Sequence, residues 1–253
     1  MIRKILPPQK RSQITIFIII SILIVAVVVL FFSLRGNLQK EKPISPEIAP
    51  IKNFVQECLD NSLEEVVFKV GENGGYYFPS KTRATIPVLE VPYYIKNNQN
   101  LMPSKEQIQD EISKSVAREL IFCLEDFTLF SNEYEITKGK MAPPKIIIEP
   151  ERVLVDVNYP LTIIKGDSKS KIENFNSEVP VRLGIVYDAV AEFVEEEIKT
   201  EDFCITCLLL AINETGLKAT PTFYGQKTQI FYIEDPLSEI NKKEFLYIFA
   251  NEY

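Results

Sequence analysis

Histidine and tryptophan are absent from this 253-residue chain. Without histidine the chain lacks the commonest general base and transition-metal ligand, and the only side chain whose unperturbed titration falls near neutrality. Serine triads of the usual kind and histidine-based zinc sites are therefore excluded. The nine glycines are spread thinly. None forms GxGxxG, or GxxxxGK followed by Ser or Thr, so no glycine-rich phosphate loop is present. No aspartate–glycine loop of the Ca²⁺-binding type occurs. There is no repeat of fixed period and no low-complexity segment. The 35 acidic residues are too numerous for sequence alone to single out a catalytic pair.

Charge is unevenly shared. Five of the 28 basic residues and none of the 35 acidic ones lie in residues 1–35, so the remainder carries −12. A region this acidic repels nucleic acid and anionic headgroups alike, which excludes nucleic acid as a partner. Solubility alone accounts for the acidity. Glu195-Glu196-Glu197 with Glu201 and Asp202 is the one cluster with a claim on a cation.

What is present begins with a long apolar run. Ile14 to Leu34 is 21 residues without charge, proline or glycine, and Thr15, Ser21 and Ser33 alone interrupt it. At about 1.5 Å per residue it matches the roughly 30 Å hydrocarbon core of a bilayer. The run predicts a transmembrane helix at 14–34 behind a basic tail at 1–13. Arg3, Lys4, Lys10 and Arg11 precede it, whereas Arg35, Lys40 and Lys42 follow it diluted by Glu41. That asymmetry predicts a single-pass protein of the cell membrane, its N-terminus cytoplasmic and its C-terminal domain extracytoplasmic. The lipid bilayer is then the first partner. A cleaved secretory signal fits less well, because the run is too long and Phe31-Phe32-Ser33-Leu34-Arg35 offers no small-x-small exit.

Lys10-Arg11-Ser12-Gln13-Ile14-Thr15-Ile16-Phe17 resembles the class III signal of archaeal type IV pilins. In that signal a basic pair and a small residue precede the cut and a hydrophobic helix follows it. The resemblance implies processing between Ser12 and Gln13 and a pilin-like filament subunit. It departs at Ser12, where glycine or alanine is usual, and at Phe17, where many pilins carry glutamate. The same residues, with the domain behind them, look similar to uncharacterised single-pass membrane proteins of small-genome archaea, which share a Lys/Arg-x-Gln-Val/Ile-Thr-Ile-Phe start. That likeness implies anchoring and export, and no activity.

Arg35 to Pro50 holds Pro43, Pro46 and Pro50 among polar residues and reads as a semi-extended stalk at 35–50. The domain proper is expected over 51–253. Ile51, Phe54, Val55, Cys58, Leu59, Leu63, Val66, Val67 and Val70 repeat at helical spacing, with Gly71 and Gly74-Gly75 as the stop. Ile86 to Ile95 carries prolines at 87 and 92, which predicts a sheet edge or extended coil. Ser104 with Gln107 forms a capping box for a second helix, on which Ile108, Ile112, Val116, Leu120 and Cys123 share a face. Strands are predicted at Lys145–Ile148, Val153–Ile164 and Glu178–Leu183, with a turn at Gly166-Asp167-Ser168. Helices are predicted from Gly184 to Lys199 and from Phe203 to Asn213, stopped by Gly216. A hairpin, Thr220–Tyr224 and Thr228–Ile233, and a strand Glu244–Ala250 close the chain. The expected fold class is α+β: an N-terminal transmembrane helix, then an exported domain with an antiparallel sheet and about four helices.

Four cysteines, an even number all beyond the apolar run, predict two disulfides. Cys58 and Cys123 each lie on the apolar face of a helix, and packing those helices would pair them. Cys204-Ile205-Thr206-Cys207 is left. A CxxC is a local disulfide, a redox pair, or half of a metal site. The metal reading needs two further soft ligands, and only Cys58 and Cys123 would supply them. The redox reading lacks the hydrophobic strand that precedes such a motif in thioredoxin-like units. Asn213-Glu214-Thr215 is a glycosylation sequon. Tyr76, Tyr77, Tyr93 and Tyr94 suit half-buried strand positions better than a sticky surface.

These readings favour a membrane-anchored cell-surface protein with a structural, assembly or adhesion role. It would have no catalytic activity, no cofactor and no metal, and would contact a protein partner or copies of itself. The alternative from another class is a membrane-anchored thiol–disulfide oxidoreductase using Cys204 and Cys207.

Overall fold

A computed structural model describes residues 20–25, 46–86, 89–200 and 202–253. The chain divides into two compact units, Met1–Ile44 and Ser45–Tyr253. In the first, residues 20–25 are helical, with exposed apolar side chains.

The expected membrane-spanning helix needs correction. Among the described residues, no helix is long and apolar enough to cross a membrane. Of 14–34 only residues 20–25 are described. Residues 14–19 and 26–34 lie outside the described residues, as do the tail at 1–13 with Ser12 and Gln13, and positions 35–45 of the stalk. The single-pass placement, N-terminus cytoplasmic and domain extracytoplasmic, rested on that span and falls with it.

Ser45–Tyr253 is mixed α+β, with two sheets where one antiparallel sheet was expected. Four α-helices are described: α1 (Ala49–Glu72), α2 (Lys105–Leu124), α3 (Leu183–Glu197) and α4 (Ile205–Ala211). A 3-10 stretch, Glu125–Phe130, follows α2. The strands are β1 (Arg83–Ile86), β2 (Leu89–Lys96), β3 (Gln99–Asn100), β4 (Glu135–Lys138), β5 (Lys145–Ile148), β6 (Val153–Lys165), β7 (Ser168–Val179), β8 (Lys218–Tyr224), β9 (Thr228–Ile240) and β10 (Lys243–Glu252).

Six strands make the larger sheet in the order β1-β2-β10-β9-β8, with β3 added to β2. The β2/β10 pairing is parallel, so this sheet is not purely antiparallel. Pro92 lies in β2, between β1 and β10, and not on the edge that its missing N–H suggested. The edge is β1. In the four-stranded sheet β6 is central: β7 lies along it, and β5 and β4 pair with its first and second halves. Between those halves Pro160 and Asn158 offer their carbonyls to the N–H groups of Gly139 and Ala142.

Helix α1 packs against α2, β7 and β10, so it touches both sheets. Ile51, Val55, Leu59, Leu63, Val66, Val67 and Val70 are fully buried along it. Gly71 continues the helix instead of ending it. A Cβ there would stand 2.6 Å from the Leu246 carbonyl and the Phe245 ring, which only glycine permits. The left-handed Gly74 and Gly75 make the stop. The Gly74 carbonyl accepts from Tyr94 Oη, 3.0 Å away, and Tyr94 Oη lies 2.6 Å from Tyr247 Oη. Tyr93 and Tyr94 are buried, and form no exposed tyrosine surface.

The Ser104–Gln107 capping box opens α2. From α2, Ser113 Oγ donates to the Pro144 carbonyl at 2.6 Å and Gln109 to Ile146 of β5 at 3.2 Å. A disulfide joins Cys58 of α1 to Cys123 of α2, with Cα atoms 5.7 Å apart. One residue before α3, Arg182 forks onto Asp235 of β9 through Nε (3.0 Å) and Nη2 (2.8 Å), and donates to the Thr215 carbonyl. Asp235 is fully buried and also accepts from Ser238 Oγ at 2.6 Å. This pair ties the start of α3 and the segment after α4 to the larger sheet.

Two stability outcomes follow. Replacing both Cys58 and Cys123 by Ala reopens a 65-residue separation and should lower the unfolding free energy by about 4 kcal/mol on loop-closure entropy, read by urea denaturation without reductant. Arg182→Met leaves Asp235 buried and unpaired, and should cost about 3–5 kcal/mol in the same measurement.

Candidate functional site

An aromatic row builds the floor of the site. Tyr94, Phe249 and Phe231, from β2, β10 and β9, stack across the larger sheet with ring centroids 4.7 and 4.9 Å apart. Phe193 of α3 packs on Phe231 at 5.0 Å, and Phe203 reaches the same ring at 5.8 Å. The end of α3 and the segment leading to α4 are thereby pinned over one point of the sheet. Val186, Val190, Phe193 and Val194 form the buried stripe of α3, and the next position on that stripe is Glu197.

Glu197 is 1 % exposed. One carboxylate oxygen, Oε2, accepts the Cys204 backbone N–H at 3.0 Å, and the other accepts the hydroxyl of Tyr253. Thr200 Oγ1 donates to the Glu197 carbonyl at 2.7 Å and holds the turn that ends the helix. Burial raises the Glu197 carboxyl above its ordinary value near 4.5, and the bonds from Tyr253 and the Cys204 N–H oppose that rise in part. Burial, then the facing carboxylate, holds the Tyr253 hydroxyl far above the ordinary tyrosine range.

Cys204 caps α4 and is bridged to Cys207, with Cα atoms 5.3 Å apart. The Cys207 N–H donates to Cys204 Sγ at 3.2 Å, and the Thr206 hydroxyl lies 3.3 Å from the same sulfur. Both cysteines are half-exposed. The two sulfurs and a Glu197 carboxylate oxygen all lie within 4.8 Å of one another. A cleft of about 470 Å³ has Glu197 in its wall, with Asn97, Asn98, Thr200, Lys227 and Tyr253. Ile205, Leu209 and Leu210 of α4 stay exposed, Leu210 at 70 %.

The other sequence candidates lie apart from this arrangement. Cys58 and Cys123 are taken up by the α1–α2 bridge, so no site uses all four cysteines. Asn213 is exposed just past α4. Ser12, Gln13 and Glu201 lie outside the described residues. Within the acidic run, Glu195 and Glu196 face solvent, and Glu196 pairs with Lys199 at 2.6 Å. Glu197 turns inward. The sequence singled out the run as a whole for a cation and did not separate Glu197 from its neighbours, although its spacing of four from Phe193 and three from Val194 places it on the apolar stripe. Tyr253 carried no signal at all, since only the tertiary fold brings it to α3.

Compared with known proteins, the chain matches no family model, no curated protein and no solved structure.

The raised Glu197 carboxyl has a stability consequence with a definite sign. The folded state holds its proton more tightly than the unfolded chain, so this contribution is complete below about 4.5 and is lost as pH rises through the folded value. Glu197→Gln mimics the protonated acid and should remove the loss. Urea unfolding at a series of pH values should show wild type losing stability relative to Glu197→Gln as pH is raised from 4.5 to 7.

Proposed function

We propose that this chain is a thiol–disulfide oxidoreductase whose working pair is Cys204 and Cys207. The observation that carries the reading is a half-exposed CxxC bridge at a helix start, with a buried carboxylate within 4.8 Å of both sulfurs. A structural disulfide needs no such neighbour. Burying a carboxylate is costly, and at this position a packed apolar side chain would serve the fold better. Perturbed acids of this kind gather at functional sites. The assembly or adhesion reading leaned on a membrane anchor, which nothing among the described residues supports.

Cys204 is the attacking sulfur. The Cys207 N–H and the Thr206 hydroxyl lie against its Sγ and stabilise negative charge there. In the reduced chain the Cys204 thiolate attacks a substrate disulfide, forms a mixed disulfide and expels one substrate thiolate. Cys207 passes its proton to the Glu197 carboxylate and attacks Cys204 Sγ. That closes the protein's own bridge and expels the second substrate thiolate. Two electrons pass from the protein dithiol to the substrate, and an external dithiol restores the reduced pair. Ile205, Leu209 and Leu210, exposed beside the bridge, suit a polypeptide disulfide better than a small charged one.

With dithiothreitol as electron donor, the full chain should reduce a protein disulfide such as that of insulin faster than dithiothreitol alone. Cys204→Ser should return the rate to that blank. An unaccelerated reaction, or a Cys204→Ser variant as active as wild type, would leave the bridge purely structural.

A further inference from the structure

We propose that the reduced chain binds one Zn²⁺ through Cys204 Sγ, Cys207 Sγ and a carboxylate oxygen of Glu197. This goes beyond the exchange reaction and does not need turnover. It needs only that the bridge opens. A dithiol reductant converts the bridge to two thiols and becomes a disulfide itself. Zn²⁺ then displaces both thiol protons to solvent.

The geometry is close to what the ion requires. Tetrahedral zinc, with bonds of about 2.3 Å to sulfur and about 2.0–2.2 Å to oxygen, needs donors roughly 3.5–3.8 Å apart. The three donor atoms already lie within 4.8 Å of one another. Two residues between the cysteines is a spacing that zinc half-sites use. With the Cα atoms 5.3 Å apart, the freed sulfurs can spread to the required edge without moving the backbone.

The carboxylate is the less usual ligand, and the fold holds it in place. Glu197 is fixed by the Cys204 N–H on one oxygen and by the Tyr253 hydroxyl on the other. Outer partners of this kind orient a ligand before the metal arrives. Two thiolates and one carboxylate put three negative charges around a dication. Two sulfur donors select zinc over magnesium or calcium, which take oxygen ligands. A three-ligand set leaves the fourth position open toward the half-exposed face, as in zinc sites that keep a water. Oxidation closes the site, because the two sulfurs then share a bond with each other. The metal site and the disulfide are two states of one pair, chosen by redox conditions.

The test uses the full chain, reduced without oxygen until only the Cys204–Cys207 bridge is open, as checked by alkylation and mass mapping. Zn²⁺ is titrated in competition with a chromophoric chelator, and Co²⁺ serves as the spectroscopic probe. The reduced chain should take one Zn²⁺, and the Co²⁺ form should show sulfur-to-metal charge-transfer absorption with tetrahedral visible bands. The oxidised chain should take none. Cys204→Ser and Cys207→Ser should each abolish stoichiometric binding. Glu197→Gln, with its fold checked by the melting curve of the oxidised protein, should weaken binding at least tenfold. Absence of binding on reduction, retention of binding by Cys204→Ser, or wild-type affinity in Glu197→Gln would each overturn the assignment. Failure of the insulin assay would not, because zinc stoichiometry is read without turnover.

Discussion

Helix α1 has to be covered on three sides, and most of the architecture is the way the chain covers it. A helix with buried residues from Ile51 to Gly71 around so much of its circumference cannot lie on a single sheet. Here β7 of one sheet, β10 of the other and α2 share the task. Gln56 Nε2 donates to the Asn176 carbonyl of β7 at 2.8 Å, and Gly71 admits the β10 backbone at its far end. The Cys58–Cys123 bridge then locks the third side. Two sheets in one unit follow from the breadth of that apolar surface.

The candidate site inherits its rigidity from the larger sheet. Phe231 carries both Phe193 and Phe203, so the loop that brings Cys204 back to Glu197 is anchored at each end by the same ring. The Arg182–Asp235 pair holds the other end of α3. With α3 fixed at both ends, Glu197 has nowhere to turn but toward the bridge. Tyr253, two residues past the bulged end of the β2/β10 pairing, completes the contact from the opposite direction. A carboxylate that would be ruinous as an isolated buried charge is tolerated because two donors and a half-exposed disulfide surround it.

Helical spacing made α1, α2 and α3 legible within a few residues, because a buried stripe imposes its 3.6-residue period on the side chains. The capping box at Ser104 and the turn at Gly166 were equally local, and so equally readable. Strand partners were not. Prolines at 87 and 92 argued for an edge, yet β2 has neighbours on both sides, since Pro92 needs only that no partner carbonyl awaits its missing N–H. Strand β7, with alternation weakened by Ser, Lys and Asn, was expected at 178–183 and runs instead over Ser168–Val179. The apolar run at 14–34 misled most. Hydropathy argued for a membrane-crossing helix, and none exists among the described residues.

Local order in the chain was enough for the elements that depend on neighbours a few residues away: the amphipathic helices, their caps, the tight turns, and a CxxC that a helix start can close into a local bridge. Composition was enough for the exclusions, since a chain without histidine has few routes to catalysis. Long-range packing set which sheet each strand joined, how two sheets share one helix, and which carboxylate among 35 acidic residues is buried beside the bridge. Those outcomes rest on contacts between residues far apart in the chain: Glu197 with Tyr253, Arg182 with Asp235, Tyr94 with Tyr247. Such pairings leave no periodic trace in a single sequence, because they are set by how large faces pack and not by the local backbone.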